Sequence, residues 1–181
     1  MPKDIIDLRK FRMLIAYTVY MIIAVFLQDT MFSSVKIFNV KPFLIPAAVC
    51  AVGLFEDTNA GAYFGFFIGL IADRIMGSGV LLTIIMPFEG FVAGVLSRWL
   101  LNKSFLAYMA LATAMNLICG VFQGITVMFL YAQYYPLLIL WKIILQAIVS
   151  LPFAAIFFYL SRITSRLLLK AEPGNKNEQH S

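Results

Sequence analysis

The stretch Gly61-Ala-Tyr-Phe-Gly65-Phe-Phe-Ile-Gly69-Leu-Ile-Ala-Asp73 is the most regular pattern in this sequence. Glycine recurs at every fourth residue, and Asp73 follows the third glycine at the same interval. Because residues four apart lie on one face of an α-helix, these residues form a single stripe. Glycines in such a stripe let a neighbouring backbone approach, which is how helices pack together in lipid. The stretch therefore predicts a membrane helix in close contact with another helix.

The composition of the 181-residue chain agrees with a membrane location. Hydrophobic residues make up 62% and charged residues 13% of the chain, against roughly 45–50% and 25% in soluble domains. A soluble domain of this size cannot cover so much apolar surface with polar side chains. The composition thus excludes a soluble globular domain and a disordered chain. A disulfide scaffold is excluded as well, since Cys50 and Cys119 both lie in apolar stretches.

Six apolar runs predict an all-α membrane protein with six transmembrane helices. We expect them at about residues 11–32, 42–55, 60–73, 80–101, 105–132 and 137–168. They form a single integral membrane domain over residues 1–168, followed by a disordered polar tail over residues 169–181. The second run is only about 21 Å long as a helix, so we expect it to be tilted, broken or covered by its neighbours. Pro42 suits the first turn of this helix, whereas Pro46 costs a backbone hydrogen bond.

The distribution of Lys and Arg predicts the orientation. If six helices cross and both termini lie on one side, that side carries ten of the 14 Lys and Arg residues and the other side carries three, while Lys142 lies within the last helix. Basic residues accumulate on the cytoplasmic side, so we expect a cytoplasmic N-terminus and C-terminus. The net charge of +5 reflects this bias and does not indicate nucleic-acid binding. If the second run does not cross, five helices remain and one terminus moves outside.

Glycines four residues apart recur in the next two predicted helices. They are Gly90 and Gly94 in the fourth, and Gly120 and Gly124 in the fifth. Such pairs fit close packing within the chain, and they also fit a groove that receives the helix of a partner. Asp73 either forms a charged pair with Arg74 that ends the helix at the outer interface, or is a polar anchor that faces a pocket or partner, because ionisable groups are costly at membrane depth.

Four polar side chains fall inside the predicted spans, namely Glu89, Gln123, Lys142 and Gln146. With a rise of about 1.5 Å per residue, the glutamate and both glutamines lie at one depth, and Lys142 lies one turn closer to the outer face. This arrangement fits an ion pair between Glu89 and Lys142 with hydrogen bonds from the glutamines, or separate snorkelling of the two charged side chains. It also fits an outward-facing pocket for a lipid headgroup or another ligand, or a proton relay. The spans contain no Ser–His pair, paired aspartates or metal-ligand cluster, so we expect no enzyme, cofactor or metal.

The order of these features along the chain matches a known family. Leu27-Gln28 closes the first helix, Lys41-Pro42 opens the second, and the block at residues 61–73 precedes the loop Gly77-Ser78-Gly79. The sequence resembles the rod shape-determining protein MreD family, whose members carry a proline at the second helix and a G-x-x-x-G-F-x-x-G-x-x-x-D block. The resemblance covers about residues 10–168. The matching positions are Pro42, Gly61, Gly65, Phe66, Gly69 and Asp73.

The resemblance implies a fold similar to the substrate-binding subunit of energy-coupling-factor vitamin transporters. It implies a non-enzymatic scaffold in the bacterial cytoplasmic membrane that binds MreC. Its further partners are then MreB, RodA and a class B penicillin-binding protein in the elongation complex that controls lateral peptidoglycan synthesis and cell shape. The alternative is a transporter substrate-binding subunit. Such subunits dock through an Ala-x-x-x-Ala stripe on the first helix, whereas Ala16 and Ala24 here are not four residues apart.

Overall fold

The computed structural model describes residues 8–31, 40–99, 104–131 and 136–170, and these residues are almost entirely helical. The helices are α1 (Leu8–Phe26, continued by a π-helical turn over Leu27–Met31), α2 (Ile45–Phe55), α3 (Thr58–Met76), α4 (Leu81–Trp99), α5 (Phe105–Tyr131) and α6 (Pro136–Lys170). The described ranges contain no β-strand, and the all-α class is confirmed. The predicted tail lies outside the described residues from position 171 onward.

Four segments of the described chain are long and apolar enough to cross a membrane. They are Phe11–Thr30, Leu81–Arg98, Phe105–Thr126 and Pro136–Leu167. The helix α2 is apolar but has only 11 residues, and α3 carries polar residues at both ends, among them Asn59 and Arg74. The chain therefore has the helices of a multi-pass membrane protein.

The short helix α2 lies at the centre of the bundle. All of its residues are buried, and it contacts each of the other five helices. Those five surround it in the order α1, α3, α4, α5 and α6, with α6 next to α1 again. A helix that is apolar on every side needs such a position. Of the three possibilities for the second run, the structure shows the one in which neighbours cover it.

The helix α2 begins later than the sequence predicts, because a side chain of α1 holds the residues ahead of it. The Gln28 Nε2 donates to the Pro42 carbonyl (3.0 Å), and the Leu44 N–H donates to Gln28 Oε1 (2.7 Å). Helical geometry starts at Ile45, so Pro46 occupies the first turn. A proline there loses no helical hydrogen bond. The prediction that Pro42 lies in the first turn is wrong, and so is the cost assigned to Pro46.

Polar contacts fix one end of the bundle at the turn between α2 and α3. The Tyr17 hydroxyl of α1 donates to Glu56 Oε1 (2.7 Å), and Arg98 of α4 pairs with Asp57. Asp57 also accepts the N–H of Thr58 (2.7 Å) and caps α3. This turn therefore lies level with the last turn of α4, and the cap makes α3 begin two residues earlier than predicted.

Candidate functional site

The three glycines of α3 lie against the backbone of α4. A Cβ atom added at Gly61 or at Gly69 would lie 2.5 Å from a carbonyl oxygen of α4, and one at Gly65 would collide with the Met86 carbonyl. Real side chains do not approach a backbone so closely. The stripe therefore brings two helices of this chain together, and it forms no open groove.

Glycines of α4 and α2 complete the same contact. Gly90 lies against Gly61, and Gly94 lies against Thr58 at the start of α3. Gly53 of α2 faces the Gly90 carbonyl, so three helices meet at this point. Nothing in the sequence marks Gly53, because no second glycine accompanies it at helical spacing.

The glycine pair of α5 packs against side chains rather than backbone. A Cβ atom at Gly120 would meet a methyl of Ile143 at 2.7 Å, and one at Gly124 would meet a methyl of Ile139 at 2.8 Å. Both isoleucines belong to α6. Every glycine predicted to serve packing or partner binding thus has its contact inside this chain.

Asp73 joins the last full turn of α3 to the first turn of α4. Its Oδ1 accepts from the Ser78 hydroxyl (2.6 Å) and the Leu82 N–H (3.0 Å). Its Oδ2 accepts from the N–H (2.7 Å) and the hydroxyl (2.6 Å) of Thr83. The carboxylate therefore caps the positive end of α4 from a different helix. Asp73 is 4% exposed and all four of these contacts lie within the chain. Its helix continues to Met76, so Asp73 does not end the helix as the first alternative predicts.

The loop after Asp73 depends on glycine. Gly77 has φ +67° and ends α3, and Gly79 has φ +77°. Residues other than glycine rarely adopt this left-handed backbone geometry. The tight turn places the start of α4 within reach of Asp73 and explains why α3 extends to Met76, three residues past the predicted end.

Phe66 lies on the opposite face of α3 from the glycines. It is 44% exposed, and its ring meets the exposed Phe67 edge to face with centroids 5.6 Å apart. In a bilayer this face meets lipid or another protein. The residues of the block thus divide into an inner set that binds α4 and one aromatic residue that faces outward.

A polar cavity of about 430 Å³ lies at the end of the bundle where α1 stops and α2 starts. Its volume is in the range of small-molecule sites. Its polar lining consists of Gln28, Asp29, Lys41, Gln123 and Gln146, and Pro42 also borders it. The structure therefore brings the two predicted glutamines together. It adds Gln28 and Asp29 from the end of α1 and Lys41 from the segment ahead of α2, none of which the depth along a helix predicts.

Glu89 lies away from this cavity, on the side of α4 that faces α5. It is 2% exposed, and its Oε1 accepts the thiol of Cys119 (2.9 Å). Its Oε2 has no hydrogen-bond partner in the described part of the chain. Lys142 is exposed on α6, on the far side of α5, so the structure does not bring the two charges together. The partner of Glu89 is the buried thiol of Cys119, for which the sequence predicts no role.

Metal binding has no obvious site among the residues described. No group of three or more His, Cys, Asp or Glu side chains converges among these residues.

The fold and these sites define an all-helical membrane bundle with a closed α3–α4 contact, a polar end cavity and one buried carboxylate. No family model matches the sequence, no curated protein matches it, and no solved structure matches its fold.

Proposed function

We propose that this chain is a non-enzymatic membrane scaffold of the bacterial elongation complex that binds MreC and helps regulate lateral peptidoglycan synthesis. One observation supports this role above others. Four of the six positions that match the MreD family have a common task in the fold, since Gly61, Gly65 and Gly69 hold α3 to α4 and Asp73 closes the hairpin. On this proposal these residues maintain the shape of the fold and take part in no reaction.

A scaffold needs outer surfaces in fixed positions. The α3–α4 hairpin and the enclosed α2 form a tightly packed centre. Apolar surface remains on the outside, including the exposed Phe66. On this proposal such surfaces contact MreC and lipid, while MreB, RodA and the class B penicillin-binding protein join through the assembled complex.

We also propose that all six helices cross the membrane and that both termini are cytoplasmic. The helix α4 is apolar and long enough to cross, and α3 contacts it from Thr58, against Gly94, to Gly69, against Leu82. Both helices have 19 residues, or about 28 Å, close to the ~30 Å of the hydrocarbon core. An antiparallel helix of equal length and in continuous contact shares the membrane position of α4. The start of α2 is bound by Gln28 at the end of α1, and Glu56 just after α2 is bound by Tyr17 in the first half of α1. The helix α2 therefore runs back along α1 and, on this proposal, crosses as well.

The proposed topology predicts that the two ends of α3 lie on opposite sides of the membrane. Cysteines introduced at the exposed positions of Asn59 and Val80 should react with a membrane-impermeant thiol reagent from opposite sides. The natural Cys50 and Cys119 are buried and serve as the unreactive background. Labelling of Asn59→Cys and Val80→Cys from the same side would show that α3 does not cross.

Affinity purification in mild detergent tests the proposed role. Recovery of MreC together with wall synthases supports the scaffold. Gly65→Leu, which forces α3 away from α4, should lower that recovery. The scaffold role would be contradicted if the intact chain purified without MreC, or if Gly65→Leu recovered as much MreC as the natural chain.

The polar end cavity supports a second candidate, a substrate-binding subunit of an energy-coupling-factor vitamin transporter. About 430 Å³ lined by amides and charges suits a small polar ligand. In this case the chain would purify with a coupling subunit, ATPases and a bound vitamin. Gln146→Leu would then release the vitamin without changing the thermal stability of the ligand-free protein.

A further inference from the structure

The polar end cavity has one acidic and one basic side chain in its lining. Asp29 comes from the end of α1, and Lys41 comes from the segment ahead of α2. No ion pair joins these two among the described residues, whereas Arg98 and Asp57 pair at the opposite end of the bundle. The cavity therefore presents a carboxylate and an ammonium group at separate points, and both are available to a ligand.

Amide groups provide the rest of the polar lining. The Gln28 side chain is already occupied, since it binds the Pro42 carbonyl and the Leu44 N–H. Gln123 of α5 and Gln146 of α6 are partly buried in the lining, and their side chains have no hydrogen bond to other described residues. Each of these two amides offers a donor and an acceptor. The cavity thus has unused hydrogen-bonding groups of both kinds beside its two charges.

This lining favours a ligand that carries a positive and a negative charge. A ligand with a single charge is attracted by one of Asp29 and Lys41 and repelled by the other, which lowers its affinity. A zwitterion pairs with both side chains and forms a charge-assisted hydrogen bond with each. Its remaining polar groups bind the two free amides. The chemistry of the cavity therefore selects a small zwitterion over a simple cation or anion.

The polar end cavity lies at the depth of lipid headgroups. Asp29 is the last residue but one of the apolar segment of α1, and Gln123 is three residues from the end of the apolar segment of α5. Such segments end where the hydrocarbon core meets the headgroup region. Ile75 and Met76, which are 44% and 39% exposed, also line the cavity, so part of its edge is apolar outer surface. A lipid thus places its headgroup in the cavity while its chains follow the outer face of α3.

We propose that the polar end cavity binds a small zwitterion, with the cation of the ligand at Asp29 and its anion at Lys41. The headgroup of phosphatidylethanolamine has this chemistry, with an ammonium and a phosphate group. Free glycerophosphoethanolamine carries the same two groups without the chains. The inference goes beyond the proposed scaffold role, since it concerns a ligand rather than a protein partner. A vitamin recovered from the cavity would support the transporter candidate and contradict the zwitterion site.

Competition between two lipids tests whether the cavity selects both charges. The intact chain is purified in a non-ionic detergent, mixed with equal amounts of phosphatidylethanolamine and phosphatidylglycerol, and analysed for retained lipid by native mass spectrometry. Phosphatidylglycerol has the phosphate but carries neutral hydroxyl groups in place of the ammonium. We expect about tenfold preference for phosphatidylethanolamine, the contribution of one hydrogen bond between charged groups. Equal retention of the two lipids would overturn the proposal.

Substitutions in the lining assign each charge of the ligand to its partner. Asp29→Asn should lower the retention of phosphatidylethanolamine about tenfold without lowering that of phosphatidylglycerol, because only the former has an ammonium group. Lys41→Gln should lower the retention of both lipids, because both have a phosphate. Lys142→Gln is the matched control, since Lys142 is exposed on α6 and does not line the cavity. If Asp29→Asn and Lys41→Gln behave like Lys142→Gln, neither charge holds the ligand.

Titration calorimetry with glycerophosphoethanolamine distinguishes the two sources of the zwitterion. If the ligand is the lipid, the soluble headgroup should bind at least tenfold more weakly than phosphatidylethanolamine, because it lacks the contacts of the chains. Equal affinities indicate a soluble zwitterion as the ligand of the same site. Ethanolamine, which has only the cation, should bind more weakly than glycerophosphoethanolamine, and equal binding of these two would contradict the site. Recovery of MreC is measured separately, so a failure of zwitterion binding leaves the proposed scaffold role intact.

Discussion

Replacing Asp73 by alanine removes the acceptor of four hydrogen bonds that join the end of α3 to the start of α4. Two of the donors are hydroxyl groups, on Ser78 and Thr83, which can rotate toward water or another acceptor. The other two are the backbone N–H groups of Leu82 and Thr83, which are fixed by the helix. Loss of the acceptor for these two N–H groups accounts for most of the lost stability.

The size of the effect follows from the fixed donors. A buried N–H without an acceptor costs about 1–3 kcal/mol, and loss of a negative charge at a helix N-terminus adds about 0.3–1 kcal/mol. The contacts to Thr83 are only partly buried, so each N–H costs near the lower end of that range and we expect about 3 kcal/mol in total for Asp73→Ala. Asp73→Asn keeps one acceptor oxygen and loses the charge, so we expect about half of that loss.

The two natural cysteines report on unfolding. Cys50 and Cys119 are both 0% exposed, so a thiol-reactive fluorogenic dye labels them only when heat opens the bundle. The midpoint of labelling should fall for Asp73→Ala and fall by less for Asp73→Asn. Asp29→Ala is the matched control, since Asp29 is an exposed carboxylate at the same end of the bundle.

Hydrogen–deuterium exchange locates the effect. In Asp73→Ala, exchange should accelerate at Leu82 and Thr83 before it accelerates at the α2–α3 turn. If Asp73→Ala and Asp29→Ala have equal labelling midpoints and the first turn of α4 exchanges as slowly as before, the cap contributes nothing and the reasoning fails.

Three further outcomes use the same dye assay. Gly65→Leu should lower the labelling midpoint far more than Gly124→Ala, because Gly65 faces a fixed backbone and Gly124 faces a rotatable methyl; equal effects would contradict the close backbone contact. Glu89→Leu should be as stable as the natural protein or more so, because no ion pair is lost; a large destabilisation would indicate a partner for Oε2 within the chain. Tyr17→Phe should cost about 1.5–3 kcal/mol through the lost hydrogen bond to a carboxylate, whereas Tyr63→Phe, at a 70% exposed position, should cost nothing.

Apolar run length is enough to predict the helices of this chain but not where they end. The structure starts α2 at Ile45 rather than residue 42 because Gln28, far away in sequence, binds the residues ahead of it. It extends α3 at both ends because Asp57 caps its start and Gly77 ends it. These ends depend on individual hydrogen bonds and on one left-handed residue, which hydropathy does not measure.

The glycine stripe on α3 predicts close backbone approach, and the structure has it. The stripe does not predict which helix is the neighbour, because small residues allow the backbone of any helix to approach. Gly61, Gly65 and Gly69 meet α4 of the same chain, and the short loop after Met76 makes that neighbour the nearest one available. Spacing thus predicts the kind of contact, and connectivity decides the partner.

The polar side chains show the limit of reasoning from depth. Gln123 and Gln146 are predicted at one depth, and they line one cavity. Glu89 and Lys142 are also at similar depth, since Glu89 contacts Cys119 while Gly120 contacts Ile143. They nevertheless face different sides of the bundle. Position along a helix gives the height of a side chain, and only the packing of the helices determines its direction.

The two helices that contribute most to the packed centre, α2 and α3, are the two that do not have both the length and the apolar character of a membrane span, and this has a physical cause. An apolar span is long because its sides meet lipid over the full thickness of the membrane. The sides of α2 meet only protein, so its length is free of that requirement. The inner face of α3 meets the α4 backbone through glycines, which add little apolar character. A helix that its neighbours enclose, as they enclose α2, and a helix that packs through glycines, as α3 does, therefore look least like membrane spans.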